Sequence, residues 1–116
     1  MRGDQNMGKI LDIFNLISNC QGFDWDEGND IKNWSKHHVS QIECEAVFLN
    51  DPIVKYDREH SIDEKRFMAI GKTDQGRYIF INFTVRKKLI RIISARDMSK
   101  SEFREYERYE KENSDI

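Results

Sequence analysis

The residues best suited to move protons at neutral pH are His37 and His60, because an imidazole changes charge in that range. His60 lies in the polar segment REHSIDEKR, residues 58–66, together with Glu64 and Arg66. A histidine, a serine, carboxylates and arginines in one short segment are typical of a site, although a solvated loop could have the same composition. His37 follows a lysine at the end of a predicted helix, where C-capping is an equal alternative. We take His60, His37 and Glu64 as the candidate catalytic residues.

Neither a metal cage nor a nucleophile elbow accompanies these histidines. The 3 histidines lack His-x-x-x-His spacing, and Cys20 and Cys44 lack Cys-x-x-Cys spacing. Ser61 adjoins His60 without a surrounding Gly-x-Ser-x-Gly motif. The segment KTDQGR has a single glycine and is not a phosphate-binding loop. The sequence therefore predicts no metal and no cofactor.

Positive charge is concentrated in one part of the chain. The net charge of the 116 residues is −2, yet residues 65–96 contain nine basic residues and one acidic residue. A local charge of +8 makes this region a candidate anion site, although charges on strands can also point into solvent.

The stretch RKKLIRIISARD, residues 86–97, places two of these arginines in an apolar strand. A buried arginine is rare without a negative partner, which could be a structural carboxylate or a ligand. On a regular strand Arg91 and Arg96 face opposite sides. We therefore expect different roles, with Arg91 binding an anionic ligand. Arg96, unless a bend redirects it, would pin the C-terminal helix through Glu102 or Tyr106.

Two Ser-x-x-Glu capping boxes, Ser40–Glu43 and Ser99–Glu102, mark helix starts. Apolar spacing predicts a further helix over residues 9–20, and another from residue 24 or 26 to about residue 36. The apolar run at residues 9–20 is too short for a membrane span and lacks the features of a signal peptide, so we expect a cytoplasmic protein with no membrane contact.

From Pro52 onward the apolar pattern alternates with a period of two, as in strands. The predicted strands are IVKYD, RFMAIGKT, RYIFINFTV and LIRIISAR, the last three forming an antiparallel meander; GFDW is a short extended piece. The predicted class is α+β. Its antiparallel sheet is accompanied by two helices in the N-terminal half, a C-terminal helix and an extra N-terminal helix. We divide the chain into an N-terminal helical extension, residues 1–21, and a single domain, residues 22–116.

Three separated motifs resemble the BrnT family, the toxins of type II toxin–antitoxin modules. They are FDWDEGNDIKNWSKHHVS, EHSIDEKRFMAIG and RIISARDMSKSEFREYE. The resemblance covers about residues 22–107, and most members lack the N-terminal helix.

The resemblance implies a RelE-like ribonuclease that inhibits translation by cutting RNA without a metal ion. It implies a partner antitoxin, BrnA, with a ribbon-helix-helix segment that alone contacts operator DNA, and a hetero-tetramer of the two. RNA cleavage needs a proton acceptor, a proton donor and cations for the phosphate. The candidate phosphate-binding residues are Arg66, Arg91, Arg96, Lys36 and Lys88, with Arg91 also counted as catalytic.

A non-catalytic interaction subunit is the alternative function. Its basic sheet would bind a partner protein, and the acidic C-terminal helix could cover that surface.

Overall fold

A five-stranded sheet forms the centre of the fold. The computed structural model describes residue 13, residues 15–25 and residues 36–114. The strands are β1 (Gly22–Phe23), β2 (Ile53–Asp57), β3 (Arg66–Lys72), β4 (Tyr78–Arg86) and β5 (Leu89–Asp97), and the helices are α1 (Gln41–Leu49) and α2 (Lys100–Ser114). The sheet order is β1-β5-β4-β3-β2, with antiparallel pairing from β5 to β2. The predicted α+β class and meander are confirmed.

The N-terminal predictions are covered only in part by the described residues. Residues 13 and 15–18 are helical, in agreement with the helix predicted over residues 9–20. The helix predicted to end near residue 36 falls largely on residues 26–35, which lie outside the described residues. The extended piece GFDW supplies β1, which pairs in parallel with the start of β5. The sequence predicted its extended conformation but not its partner strand.

The two faces of the sheet pack against different helices. On one face, called the α1 face, Phe83 and Ile81 join Val47 of α1 in a core where all three side chains are fully buried. On the other, called the α2 face, Ile70 and Phe80 pack with Tyr106 of α2. The apolar period of two in the strands therefore serves two separate cores.

The Ser40–Glu43 capping box begins α1 and is tied to the sheet by Arg77. The Glu43 carboxylate accepts from the Ser40 backbone N–H, and the Ser40 hydroxyl accepts from the Glu43 backbone N–H. Arg77 donates to Glu43 at 3.0 Å, to Asp97 at 2.8 Å and to the main-chain carbonyl oxygens of residues 37 and 38. One side chain thus joins the α1 cap, the preceding segment and the end of β5.

The Ser99–Glu102 capping box begins α2 in the same way. Its backbone and side-chain hydrogen bonds are both present. Arg96 donates two parallel hydrogen bonds to the Glu102 carboxylate, at 2.9 and 3.0 Å. Its guanidinium also lies 4.1 Å from the centre of the Phe80 ring, a cation–π contact. Arg96 therefore holds the start of α2 on the sheet.

A β-bulge in β5 changes which way its arginines point. The pairing with β4 skips Ile93, so that Arg91 stands opposite Thr84 and Arg96 opposite Phe80. Residues 80 and 84 lie on the same face of β4, because side chains alternate along a regular strand. Arg91 and Arg96 therefore share the α2 face, since directly opposed residues point the same way. The prediction that they face opposite sides is wrong, because the bulge adds one residue between them.

We expect Arg77→Ala to lower the free energy of unfolding by about 1–3 kcal/mol, because hydrogen bonds to charged groups contribute roughly that much. Urea denaturation measures the change, with Arg108→Ala as the control because Arg108 is exposed on α2. Equal unfolding midpoints for the two variants would contradict the joining role of Arg77.

A second prediction concerns acid stability. Burial by itself would raise the pKa values of Glu43 and Glu102, but hydrogen bonds from serine and arginine lower both below the ordinary value of 4.5. Carboxyls with lowered folded-state pKa values stabilise the fold above the unfolded pKa, and this stabilisation is lost as pH falls through the folded pKa.

The free energy of unfolding should therefore decline as the pH falls below about 4.5. Urea denaturation at a series of acidic pH values measures this slope. The decline should be shallower in the double variant Glu43→Gln, Glu102→Gln, and equal slopes would rule out these two carboxyls as the cause.

Candidate anion-binding and catalytic site

A cleft of about 490 Å³ opens where the segment between β2 and β3 meets the end of β4. Its lining brings together three predicted site residues with three others: His60, Glu64, Arg66, Ile62, Asp63 and Arg86. Within the described part of the chain, no group of three or more His, Cys, Asp or Glu side chains is placed to hold a metal ion.

Ser61 and Asp57 fix the conformation of this segment. The Ser61 hydroxyl accepts a hydrogen bond from the Arg66 backbone N–H at 2.9 Å. Asp57, the last residue of β2, accepts from the backbone N–H of His60 at 3.4 Å. These bonds close the segment onto the ends of β2 and β3, so the hydroxyl of Ser61 has a structural role.

His60 is oriented by a buried carboxylate. Its Nδ1 lies 2.9 Å from Oδ2 of Asp57, whose residue is only 6% exposed. An ionised carboxylate can only accept, so the proton of a neutral imidazole sits on Nδ1 and leaves Nε2 as the acceptor. The imidazole remains accessible, because 62% of the His60 side chain is exposed. The pair is a proton acceptor of fixed orientation at the cleft.

Glu64 and Arg86 form a bidentate ion pair in the cleft. Nε and Nη2 of Arg86 lie 2.9 and 3.0 Å from the two carboxylate oxygens of Glu64. The hydrogen bond from Arg86 lowers the pKa of Glu64 below its ordinary value. Burial opposes this effect, and the charges of Arg86, Arg66 and Arg91 add to it. The positive charge of three arginines therefore acts on this one carboxylate.

Arg91 lies next to a second carboxylate. Its Nη1 is 3.7 Å from Oδ2 of Asp24, which follows β1 directly. The backbone N–H of Asp24 donates to the Ile90 carbonyl oxygen, which continues the β1–β5 pairing. The Arg91 side chain is 28% exposed. A structural carboxylate therefore stands next to Arg91 in this structure.

Predicted residues His37 and Lys36 lie at the other end of the sheet. The carbonyl oxygen of His37 accepts from Arg77, directly before β4, whereas the cleft contains Arg86, the last residue of β4. Nine residue steps at about 3.3 Å each, from Arg77 to Arg86, separate these ends by roughly 30 Å. The structure does not bring His37 and His60 together.

The remaining predicted residues also divide between the two ends. Arg96 is engaged with Glu102 at the start of α2. Lys88 is exposed in the turn after Arg86, with a φ of 63°, and therefore lies at the cleft end. A further cleft of about 540 Å³, beside Tyr78 and the start of α2, contains none of the predicted site residues.

Sequence reasoning did not select Asp57 and Arg86. The Asp-x-x-His spacing of DREH, placed at a strand end, is a local signal for the Asp57–His60 pair. Arg86 was counted in the basic segment, but nothing local singles it out, because its partner Glu64 is 22 residues away.

Comparison with known proteins identifies a family and a similar solved structure. The sequence model of a family described as "Ribonuclease toxin, BrnT, of type II toxin-antitoxin system" matches residues 25–102. Among solved structures, the ribonuclease toxin BrnT of Brucella abortus is similar with a TM-score of 0.50 and 22% identity, over 68% of this chain and 97% of that one. No curated protein matches. The structural likeness supports the fold, and the family match includes every residue that lines the cleft.

We expect Asp57→Asn to change the tautomer of His60. An asparagine amide can donate to Nδ1, which would move the imidazole proton to Nε2. Imidazole ¹⁵N NMR distinguishes the two tautomers. Asp63→Asn is the matched control, because Asp63 lines the same cleft and the charge change is identical. The same tautomer in the parent chain and Asp57→Asn would contradict the orienting role of Asp57.

Proposed function

Because the chain belongs to the BrnT family of ribonuclease toxins of type II toxin–antitoxin systems, we propose that it is an active endoribonuclease. It cleaves RNA without a metal ion or cofactor and thereby inhibits translation. The observation that carries this proposal is that the oriented imidazole of His60 and the guanidinium groups of Arg66 and Arg86 line one cleft. Proton transfer and stabilisation of phosphate charge are the two requirements of phosphodiester cleavage by side chains.

The Asp57–His60 pair supplies the proton acceptor. Neutral His60 takes the proton of an RNA 2′-hydroxyl on Nε2, while Asp57 stabilises the imidazolium that forms. The 2′-oxygen attacks the neighbouring phosphorus, and the bond from phosphorus to the 5′-oxygen breaks. The 5′-oxygen takes up a proton from water. The products are a 2′,3′-cyclic phosphate end and a 5′-hydroxyl end.

The arginine cluster supplies the cations. This arginine cluster consists of Arg66 and Arg86, which line the cleft, and Arg91, whose charge also acts on the Glu64 carboxylate. One guanidinium group can donate two parallel hydrogen bonds to two phosphate oxygens. Its fixed positive charge stabilises the additional negative charge of the transition state. Lys88, in the adjoining turn, extends the positive surface along the RNA backbone. Arg96 and Lys36 have no part in this cluster.

His60 is favoured over the other two proton-transfer candidates. Glu64 has a lowered pKa, which makes it a weaker proton acceptor than an imidazole. His37 lies at the opposite end of β4. The proposed reaction therefore depends on a single histidine.

The family implies an antitoxin partner. We propose that it is a BrnA-like protein that places carboxylates over the arginine cluster and contacts operator DNA through its ribbon-helix-helix segment. Toxin and antitoxin then form a hetero-tetramer in the cytoplasm. None of the helices in the described part of the chain could serve as a membrane span.

The purified chain, freed of antitoxin, should cleave single-stranded RNA in the presence of EDTA and leave 2′,3′-cyclic phosphate ends. His60→Ala should reduce the rate roughly a hundred- to ten-thousandfold, as is usual for loss of a general base. Arg91→Ala should reduce it as well, through the lost phosphate contact.

His37→Ala is the matched control and should retain cleavage. Gel electrophoresis measures RNA cleavage by the parent chain and the three variants, and mass spectrometry identifies the RNA ends. A strict requirement for a divalent metal would overturn the mechanism. Loss of cleavage in His37→Ala but not in His60→Ala would reverse the assignment of the histidines. No cleavage by the parent chain would favour a non-catalytic interaction subunit.

A further inference from the structure

The Glu64 carboxylate occupies the position in which the arginine cluster would bind a phosphate. We infer that Glu64 is an internal substitute for the phosphate and that an incoming phosphate group displaces it from Arg86. This inference rests on the proposed function for the identity of the natural ligand, an RNA phosphodiester. It gives Glu64 a role in ligand exchange in place of proton transfer.

The geometry of the ion pair supports the substitution. Arg86 donates from Nε and Nη2 to two separate oxygens of Glu64 at 2.9 and 3.0 Å. A phosphodiester has two nonbridging oxygens that accept from a guanidinium in the same paired arrangement. The donors that hold Glu64 are therefore already arranged for a phosphate.

The exposure of the pair allows the exchange. The Arg86 side chain is 52% exposed and that of Glu64 is 32% exposed. Ion pairs between accessible side chains contribute little net stability, since water and salt compete with them. Glu64 also lies outside the strands, in the segment that joins β2 to β3. It can therefore leave Arg86 without breaking the sheet.

The local charge favours a phosphate once Glu64 has moved. Glu64 is the carboxylate that the charges of Arg66, Arg86 and Arg91 act on together. Asp63 also lines the cleft, and His60 stands at its side. When Glu64 withdraws, Arg66 and Arg86 line the cleft with one carboxylate fewer, and an anion with two oxygens for Arg86 restores the balance of charge. Glu64 thus limits binding to ligands that can replace both of its oxygens.

The test is phosphate binding by the full chain, measured through the side-chain Nε–H NMR signal of Arg86 during titration with inorganic phosphate. Glu64→Gln keeps the shape of the side chain and removes its charge, so the dissociation constant for phosphate should fall about fivefold. Glu59→Gln is the matched control, because Glu59 is exposed in the same segment and loses the same charge. It should change the constant less than twofold. Glu64→Ala is a second variant in case Glu64→Gln does not fold.

Tighter phosphate binding in the Glu64 variants alone supports the inference. If Glu59→Gln binds phosphate as tightly as the Glu64 variants do, the change in net charge explains the result and the inference is overturned. Unchanged or undetectable phosphate binding in both Glu64 variants would also overturn it. The proposed function fails separately. If the chain cleaves no RNA but Glu64→Gln binds phosphate more tightly, the proposed function fails and the role of Glu64 as a phosphate substitute stands. If the chain cleaves RNA but Glu64→Gln does not bind phosphate more tightly, the role of Glu64 as a phosphate substitute fails.

Discussion

A carboxylate placed beside an arginine offsets the cost of packing the guanidinium against the protein, and such pairs organise both ends of the molecule. At one end the carboxylates belong to capping-box glutamates, Glu43 and Glu102, which bind Arg77 and Arg96. These pairs fix α1 and α2 on the sheet. At the other end Arg86 meets Glu64 in an accessible segment. The same chemistry therefore stabilises the fold at one end and leaves an accessible ion pair, at the proposed ligand site, at the other.

The bulge at Ile93 and the position of α2 separate these two functions. The bulge places Arg91 and Arg96 on the same face, although five positions separate them in sequence. Helix α2 packs on that face over Ile70 and Phe80, toward the Arg96 end. Over its described residues, helix α2 does not pack on the Arg91 end of this face, where the cleft lies. Most of α2 lies beyond residue 102, where the family match ends, so this cover is a feature that the family match does not include.

Features that depend on local sequence were predictable, and those that depend on pairing between distant residues were not. Strand β2 and both capping boxes follow from the order of neighbouring residues, and the structure confirms them. The bulge was missed because it reflects how β4 and β5 align, which the alternation within β5 does not encode. The Glu64–Arg86 ion pair was missed for the same reason. The Asp57–His60 pair was within reach, since the Asp-x-x-His spacing at a strand end is local.

The central claim is that RNA phosphate binds among the arginines beside His60. It is tested most directly by the crystal structure of the chain with a short RNA in which 2′-O-methyl groups prevent cleavage. The account predicts a phosphate within about 3 Å of the guanidinium groups of Arg66 and Arg86, with the adjacent 2′-oxygen facing Nε2 of His60. RNA bound instead around Arg77 and the start of α1, with the His60 cleft unoccupied, would contradict it.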